Sequence, residues 1–263
     1  MSEQEWVDKL ESKPNYKLGQ NFLIDSNISR KITKLVQGQL ADPIIEVGPG
    51  TGSLTSELLK DNYRIKAVEI DGKLVEILNE RFIDVPNLEI FNEDALGFDY
   101  SKLEGPWWIF VSNMPYNIGT RLLVKLITEV PVIHRYVVMV QKEVGDRIVA
   151  NPGGKEYGAL SVLFKLFTES KIQFDVSKNC FYPPPKVTSS VLTIQRETIL
   201  DEETRIRAFE ISKTAFQQKR KKVRTSLKSI ISDDRLLELG IDPNNRASNL
   251  TPKNYYDIAK VML

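Results

Sequence analysis

The chain has 263 residues, of which 41% are hydrophobic and 27% charged, and its formal net charge is +1. This composition is ordinary for a globular protein, and no run of about 18 apolar residues predicts a transmembrane helix. Residues 1–6 lack the basic start and apolar run of a signal peptide. Cys180 is the single cysteine and cannot form an internal disulfide, so we expect a cytoplasmic protein without a membrane anchor.

Histidine is as scarce as cysteine, because His134 is the only one in the chain. A zinc cluster of histidine and cysteine ligands is therefore not available, and we expect no metal site. A Ser-His-Asp triad would have to depend on His134. We interpret this histidine instead as a residue in a turn before a strand.

Short apolar runs alternate with segments of helical period in the first part of the chain. Strands are predicted at 44–47, 64–70, 88–91, 107–111 and 136–140, and helices at 53–60, 72–82 and 120–128. Strands separated by helices predict an α/β fold, with a parallel sheet that is covered on both faces.

The pattern changes towards the C-terminus. Two strands at 170–174 and 187–194 flank a proline-rich loop, and we expect them to close the sheet edge as an antiparallel pair. After Arg196 only helices are predicted, at 202–231, 233–239 and 252–262. We therefore place a domain boundary near residue 197, with one domain over 1–197 and a small helical domain over 198–263.

A glycine loop, residues 48–52, follows the first predicted strand and opens a helix. Glycines allow a sharp turn and close approach of a ligand, and a helix N-terminus offers N–H groups to an anion. Glu69 ends the second strand, where a carboxylate accepts hydrogen bonds from a ribose diol. Asp94 follows the third strand, where it could accept a hydrogen bond from an adenine amino group.

The same residues are compatible with two alternative roles. Dinucleotide-binding enzymes have a similar layout, and Asp94 alone is also typical of a turn or helix cap. The loop spacing is G-x-G-x-G, with Ser53 where a dinucleotide motif has glycine. Together these features favour S-adenosylmethionine over NAD as the cofactor.

The tetrapeptide Asn113-Met114-Pro115-Tyr116 follows the fourth strand, again at a carboxyl end of the sheet. The N6 amino group of adenine is a poor nucleophile, so activating it requires acceptors directed at its hydrogens. The Asn113 side-chain oxygen and the Met114 backbone carbonyl are the candidates, with Pro115 stiffening the chain. Tyr116 can stack on a flipped base. The tetrapeptide therefore predicts methyl transfer to adenine N6 by positioning and electrostatics.

The chain resembles the small-subunit rRNA adenine N6-dimethyltransferases, which are related to the large-subunit dimethyltransferases that confer macrolide resistance. The tetrapeptide matches the family's Asn-Leu/Ile-Pro-Tyr motif, with Met114 as the one departure. Because the backbone carbonyl acts at that position, we expect the change to be harmless. Further matches are the glycine loop and residues 17–23, 141–144, 157–161 and 181–187.

The resemblance implies a Rossmann-like, S-adenosylmethionine-dependent methyltransferase sheet with a small C-terminal α-helical domain. The cofactor contacts that it implies are Asn21, Leu23, Gly48, Gly50, Glu69, Asp94 and Asn113. It also implies that Phe181 is a second base-stacking aromatic. The position of Phe181 before three prolines predicts an exposed and rigid loop. Without the family, Asn21 would be interpreted as a helix cap, and Leu23 and Phe181 as core residues.

Cys180 offers a test of the predicted chemistry. Enzymes that methylate pyrimidine C5 need a cysteine nucleophile, but no general base is evident near Cys180. We interpret this cysteine as incidental to the reaction.

A basic segment lies in the predicted C-terminal domain, with Phe216 and Val223 interleaved among its charges. Such runs are usually solvated faces, but crowding of one charge sign favours a polyanionic partner such as RNA. The residues that we assign to RNA binding are Lys219, Arg220, Lys221, Lys222 and Arg224.

These observations lead to one main hypothesis and three alternatives. The main hypothesis is a monomeric enzyme that dimethylates two adjacent adenosines near the 3′ end of small-subunit (16S) rRNA in an assembling 30S particle. The first alternative is a resistance-type enzyme acting on large-subunit RNA, and the second is a ribosome-assembly factor whose methylation is dispensable. A dinucleotide oxidoreductase is the most distant alternative. C-terminal matches at 239–242 and 246–250 favour the small-subunit branch.

Overall fold

The computed structural model describes residues 1–10, 14–15, 18–36, 42–197 and 201–262. Lys17 of the N-terminal motif and residues 198–200, where the helical domain is predicted to begin, lie outside the described residues. The described residues form two compact units, Met1–Gly145 with Lys171–Gln195, and Asp146–Ser170 with Arg196–Leu263. The chain passes from one unit to the other after Gly145, after Ser170 and after Gln195, and the domain boundary near residue 197 stays a prediction. A single boundary there does not anticipate that Asp146–Ser170 group with the C-terminal helices.

Most of the strands belong to one largely parallel sheet, as the sequence predicts. The strands are β1 (Phe22–Leu23), β2 (Ile44–Val47), β3 (Ile65–Val68), β4 (Leu88–Phe91), β5 (Trp108–Asn113), β6 (Ile133–Gln141), β7 (Thr168–Val176), β8 (Phe181–Tyr182) and β9 (Ser189–Arg196). In the described residues seven of them form one sheet in the order β4-β3-β2-β5-β6-β9-β7, and β1 and β8 form a separate antiparallel pair. The pairs β4–β3, β3–β2, β2–β5 and β5–β6 are parallel, whereas β9 runs antiparallel to β6.

Helices connect the parallel strands, and further helices follow the sheet. They are α1 (Glu3–Asp8), α2 (Ser26–Thr33), α3 (Ser53–Lys60), α4 (Gly72–Arg81), α5 (Gly119–Glu129), α6 (Lys142–Val149), α7 (Ala159–Phe167), α8 (Glu202–Gln217), α9 (Val223–Ser226), α10 (Asp233–Glu238) and α11 (Pro252–Lys260). Polar caps set where several of them begin: Asp71 accepts a hydrogen bond from the Lys73 amide at the start of α4, and Thr251 forms a capping box with Asn254 at the start of α11. Within the described residues, no helix combines the length and apolar character needed to span a bilayer.

The core of the first unit lies along the central strands of the sheet. Every residue of β2 is buried, as are the first five residues of β5. Strands that are covered on both faces consist of continuous apolar runs, which is why the short Ile/Val segments predict them. The rigid strands therefore hold the residues at their carboxyl ends in fixed positions.

The second unit is built around three aromatic residues. The Tyr157 ring packs edge-on against Phe216, which also contacts Tyr255. Both tyrosine hydroxyl groups are buried and donate to backbone carbonyls, at Leu250 (3.0 Å) and Ala247 (2.8 Å). These bonds satisfy the polar ends of otherwise apolar rings. Phe216 and Val223, which the sequence suggests as residues interleaved in a binding surface, belong to the packing of this unit.

The prediction of one helix over 202–231 is wrong, because α8 ends at Gln217. Residues 218–221 form a turn, which is closed by the Lys221 amide donating to the Gln218 carbonyl at 2.8 Å. Lys222 is extended and forms an isolated bridge with Arg246, and the next amide, at Val223, donates to the Asn245 carbonyl at 2.7 Å. Arg246 and Asn245 thus supply the backbone partners that a continuous helix would otherwise have supplied. Repulsion between neighbouring like charges also disfavours a helix in this segment.

The placement of His134 in a turn is also wrong, because His134 lies within β6. Its half-buried ring packs edge-on against Trp107, with 4.8 Å between the ring centroids. Burial lowers the pKa of His134. The residue is therefore part of the packing near the amino end of the sheet, opposite the end where the tetrapeptide lies.

Candidate active site

A cavity of about 320 Å³ opens at the carboxyl ends of the parallel strands in the first unit. Its volume lies at the lower end of the range for small-molecule sites, and its position is the one expected for ligands in this class of sheet. All of the predicted cofactor contacts and the whole tetrapeptide line it. The cavity lining therefore joins Gly48, Gly50, Glu69 and Asp94 with the segments 18–23 and 113–116.

The glycine loop has a conformation that requires its glycines. Gly48, Gly50 and Gly52 have φ values of +65°, +60° and +90°. A Cβ atom on Gly48 would lie 3.1 Å from Pro115 Cγ, and one on Gly52 would lie 2.5 Å from the Phe82 ring. Because Gly48 has no side chain, the glycine loop can pack against the tetrapeptide. Because Gly52 has none, the Phe82 ring can pack against the residue that precedes α3.

Two buried carboxyl groups lie beside the glycine loop. Glu69 is 5% exposed and accepts hydrogen bonds from the amides of Gly50 (3.2 Å) and Asp71 (3.0 Å). Glu46 is 1% exposed and accepts one from the Thr55 hydroxyl at 2.7 Å. Burial raises the pKa of each carboxyl group to about 7, and the hydrogen bonds only partly oppose this.

Asp94 also lines the cavity and is exposed. One of its carboxylate oxygens, Oδ1, accepts a hydrogen bond from the Leu96 amide at 2.9 Å. The turn-cap interpretation of Asp94 is thus correct for that oxygen, and Oδ2 can accept a bond from a ligand. With Glu69, Asp94 gives the cavity two separated acceptors, which fits a ligand that carries a ribose diol and an exocyclic amine.

The N-terminal motif forms one wall of the cavity. The Asn113 side-chain nitrogen donates to the Asn21 carbonyl at 3.0 Å, and the Asn21 side chain donates to the Gly19 carbonyl at 3.1 Å. A Cβ atom on Gly19 would lie 3.1 Å from the Tyr116 amide nitrogen. Leu23 is buried in the core and also lines the cavity. The motif therefore packs directly against the tetrapeptide, although the two are far apart in sequence.

The tetrapeptide is held by the sheet beneath it. The Met114 amide donates to the Met139 carbonyl at 3.0 Å, and the Met114 side chain is buried against Gly119. The Tyr116 hydroxyl forms a 2.6 Å hydrogen bond with the hydroxyl of the buried Ser189. Burial raises the pKa of Tyr116, so its hydroxyl stays neutral. The ring is therefore fixed at the cavity lining by a bond at its far end.

The prediction that Phe181 lies in an exposed loop is wrong. Phe181 is 2% exposed, packs in the core cluster, and is not among the residues that line the cavity. The cause is β8, whose backbone pairs with β1 so that Phe181 lies opposite Leu23. The exposed aromatic of this segment is the next residue, Tyr182. Base stacking by Phe181 stays a prediction, and it would require the ring to be uncovered.

Cys180 lies just before β8 and is half-buried. Its thiol donates a long hydrogen bond to the Asp25 carboxylate, at 3.7 Å. Burial, together with the charge of Asp25, raises the pKa of the Cys180 thiol. A thiol in this environment is a weak nucleophile, as its interpretation as an incidental residue requires.

The five residues assigned to RNA binding lie in the second unit, and all are exposed. Arg224 differs from the others because it forms an ion pair with Asp233. Lys219 and Lys222 donate to neutral acceptors, the Lys155 carbonyl (3.3 Å) and the Asn244 side chain (2.9 Å). The charges of Lys219 and Lys222 are therefore not neutralised by these contacts.

Sequence reasoning did not assign a role to several residues of the cavity. Glu46 and Phe22 line it, as does the exposed Arg121 on α5. Ser189 reaches the site only through the Tyr116 hydroxyl. Glu46 could have been assigned to the site from the sequence, because it lies near the end of a buried strand. Ser189 could not, because its contact with Tyr116 depends on how β9 pairs with β6.

The fold agrees with that of solved RNA-modifying enzymes. A dimethyladenosine transferase from Plasmodium falciparum superposes with a TM-score of 0.74 at 24% identity, covering 89% of this chain and 94% of that chain. The 23S rRNA methyltransferase ErmE superposes with a TM-score of 0.70 at 25% identity, covering 92% and 99%. Both confirm the Rossmann-like methyltransferase fold.

Sequence comparison identifies closer relatives. Ribosomal RNA small subunit methyltransferase A of Brucella abortus biovar 1 (strain 9-941) is 42% identical over 269 residues, covering 99% of this chain and 96% of the relative. The Methylococcus capsulatus protein of the same name is 36% identical over 249 residues, covering 94% and 97%. The model of the family described as "Ribosomal RNA adenine dimethylase" matches residues 11–263. The resemblance deduced from the motifs is thus confirmed, and this chain belongs to the ribosomal RNA adenine dimethylase family.

Proposed function

We propose that this enzyme transfers methyl groups from S-adenosylmethionine to the N6 atoms of two adjacent adenosines near the 3′ end of small-subunit (16S) rRNA. The observation that carries the proposal is the position of the tetrapeptide in the same cavity lining as Glu69 and Asp94. Relatives named as small-subunit methyltransferases, at 36–42% identity, favour that subunit over the 23S rRNA of ErmE. We further propose that the enzyme acts as a monomer in the cytoplasm, on an assembling 30S particle.

Members of this family use S-adenosylmethionine, which when bound supplies a methyl group on a sulfonium and is left as the thioether. The residues that would hold it are Glu69 at the ribose diol, Asp94 at the adenine amine, and Gly48 and Gly50 where the ligand approaches the backbone. Glu69 and Glu46 would also provide negative charge near a cationic ligand when they are ionised.

The role of the tetrapeptide is to orient the target amine. The Asn113 amide nitrogen is engaged with Asn21, so its oxygen is the atom left to accept a hydrogen from N6. The Met114 carbonyl accepts the other hydrogen. In the first transfer both N–H bonds would polarise, and in the second the one that remains. Each time the N6 lone pair would form the bond to the methyl carbon as the bond from that carbon to sulfur breaks, and the proton released from N6 would pass to solvent water. Tyr116 stacks on the base and keeps N6 in line with the methyl group.

The basic segment 219–222, which overlaps the turn at 218–221, supports the choice of a large RNA substrate. Lys219, Arg220, Lys221 and Lys222 are consecutive and exposed, and residues at such positions bind phosphates without reading sequence. The predicted RNA-binding domain, 198–263, contains this turn.

The proposal is tested with small-subunit particles that lack the modification. The particles are incubated with the enzyme and S-adenosylmethionine, the rRNA is digested, and the nucleosides are analysed by mass spectrometry. We expect N6,N6-dimethyladenosine from small-subunit particles and none from large-subunit particles. Product from large-subunit RNA alone would instead favour a resistance-type enzyme, and macrolide susceptibility of an expressing strain would check that outcome.

Asn113→Ala separates catalysis from assembly. If the variant loses methylation and cells still assemble small subunits normally, the assembly role is a binding function distinct from the methyl transfer. If assembly fails as well, methylation is the required step.

A further inference from the structure

Arg81 connects the N-terminal helix to the glycine loop. Its guanidinium donates to both carboxylate oxygens of Glu3, at 2.8 and 2.6 Å, and to the backbone carbonyl of Thr51, at 2.7 Å. Glu3 begins α1, Arg81 ends α4, and Thr51 belongs to the loop that lines the cavity. Three segments that are distant in sequence therefore meet at one side chain.

These contacts are shielded from solvent. The Arg81 and Glu3 side chains are 8% and 11% exposed, and the Trp6 ring lies 5.3 Å from the guanidinium carbon. A two-pronged arginine–carboxylate pair fixes the orientation of the guanidinium, and exclusion of water strengthens each bond. Glu3 thus orients Arg81 for its third bond, to Thr51.

The packing around Arg81 also leads to the cavity. Val7 of α1 is buried in a cluster with Phe22 and Leu74, and both of those residues line the cavity. Phe22 supports the glycine loop, because a Cβ atom on Gly50 would lie 3.1 Å from its ring. Helix α1 therefore packs behind the cavity wall without lining it.

The glycine loop is held from two sides. Glu69 binds the Gly50 amide on the sheet side, and Arg81 binds the Thr51 carbonyl on the α4 side. Phe82, the neighbour of Arg81, packs against Gly52. A loop with three glycines can adopt many backbone conformations. The hydrogen bonds with Glu69 and Arg81 restrict these conformations, so cofactor binding loses less conformational entropy.

We propose that Arg81 is a positioning residue for the cofactor, which holds the Thr51 carbonyl and, through Glu3, makes helix α1 part of the S-adenosylmethionine site. This inference rests on the proposed function for the identity of the cofactor. Arg81 itself does not line the cavity, so we expect its effect on cofactor affinity and not on the methyl transfer itself.

The test compares three variants of the full chain in calorimetric titration with S-adenosylhomocysteine, the reaction product. Arg81→Lys keeps the charge but loses the second nitrogen of the two-pronged pair with Glu3, so the donor to Thr51 is no longer held in a fixed orientation. We expect about tenfold weaker binding, equivalent to about 1.4 kcal/mol. Glu3→Gln leaves the Arg81–Thr51 bond but removes the negative charge that pairs with Arg81. We therefore expect a smaller loss of affinity than in Arg81→Lys. Glu80→Gln is the matched control, because it breaks the exposed α1–α4 ion pair with Lys9, which does not reach the loop.

Two further measurements distinguish positioning from general stability. At saturating S-adenosylmethionine, kcat of Arg81→Lys should stay within about twofold of the wild type while KM for the cofactor rises. Hydrogen exchange at Gly50 and Gly52 should be faster in Arg81→Lys than in Glu80→Gln, since only the first variant loosens the loop.

The outcomes separate this inference from the proposed function. If the wild type does not bind S-adenosylhomocysteine, the proposed function fails and this inference fails with it. If the wild type binds and Arg81→Lys binds equally well, or loses thermal stability without losing affinity, only the positioning role of Arg81 is overturned. If Arg81→Lys does not fold, unchanged affinity in Glu3→Gln would overturn it.

Discussion

The side-chain amide of Asn113 donates a hydrogen bond to the backbone carbonyl of Asn21, with 3.0 Å between the two atoms. Asn113 is the last residue of β5, and Asn21 immediately precedes β1. The bond uses the donor of the amide and so sets which way the amide is turned, leaving the oxygen as an acceptor for a substrate amine. A segment near the N-terminus thus orients the residue to which we assign the central role in catalysis.

Asn113→Ala removes this acceptor. We expect kcat for dimethyladenosine formation to fall by about 100-fold or more, as is typical when one preorganised polar group is removed from an active site. The rate is measured by mass spectrometry of nucleosides, and circular dichroism checks that the variant is folded. Methylation at the wild-type rate would exclude Asn113 from the mechanism.

Glu69→Gln tests the buried carboxyl group through stability. Because burial raises the pKa of Glu69 from 4.5 to about 7, the folded protein binds this proton more tightly than the unfolded chain does. The resulting contribution to stability is fully present below about pH 4.5 and is lost as the pH rises through about 7. Glu69→Gln, which stays neutral, should therefore raise Tm of the free protein by a few degrees at pH 8 and change it little at pH 5.

The same carboxyl group should make cofactor binding depend on pH. An ionised carboxylate accepts from both ribose hydroxyls, so we expect the affinity for S-adenosylhomocysteine to weaken as the pH falls through about 7. Calorimetric titration from pH 6 to pH 8 measures this dependence. Glu46, whose pKa is also about 7, contributes to the wild-type profile, so the comparison with Glu69→Gln isolates Glu69. An identical profile in that variant would contradict the assignment.

Tyr116→Phe keeps the stacking ring and removes the hydroxyl that bonds to Ser189. We expect kcat/KM for RNA to fall by about threefold to tenfold, the usual effect of one neutral hydrogen bond, and Ser189→Ala should match it. Tyr116→Ala also removes the ring and should cost about 100-fold, in line with base stacking. If the Phe and Ala variants were equally impaired, the ring would not be the functional part of the side chain.

Cys180→Ser should leave the methylation rate within about twofold of the wild type, because no covalent step is expected at this side chain. The raised pKa of the thiol and its bond to Asp25 agree with that expectation. Single-turnover methylation of small-subunit particles measures the rate. A total loss of activity with normal folding would overturn the assignment to adenine N6.

Lys221→Gln, in the basic turn, should weaken RNA binding to a similar degree for different sequences. If the side chain contacts one phosphate, the slope of log K against log salt should decrease by about 0.7–0.9. Arg224→Gln should change the slope less, because Arg224 is already paired with Asp233. Fluorescence anisotropy at several salt concentrations measures both slopes, and equal slopes in the wild type and Lys221→Gln would remove Lys221 from the interface.

The sequence predicts the parallel sheet well because its strands are short apolar runs, fully buried in β2 and partly exposed in the edge strand β4. The predictions at 44–47 and 88–91 coincide with β2 and β4, since a Gly/Pro or polar residue follows each apolar run. Glu69, Asp94 and Asn113 lie at or shortly after the carboxyl ends of the parallel strands β3, β4 and β5. Topology alone therefore places them at one edge of the sheet. That edge and its chemistry are therefore accessible to reasoning from sequence.

Contacts between distant segments are not accessible in the same way. The burial of Phe181 depends on pairing with Leu23, and the role of Arg81 depends on a glutamate 78 residues earlier. The end of α8 at Gln217 is set partly by Asn245, which supplies the carbonyl that the Val223 amide needs. Local periodicity contains no information about such partners, which is why the helix over 202–231 and the exposed Phe181 were wrong.

The pairing of β1 with β8 affects the order in which the site forms during synthesis. Strand β1 is translated well before its antiparallel partner, which lies at Phe181–Tyr182. The cavity wall that includes Asn21 and Leu23 borders this pair, so it can be completed only after Tyr182 has been made. A nascent chain that stops before Phe181 would contain the glycine loop, Glu69 and the whole tetrapeptide, and would still be unable to close the site around a cofactor.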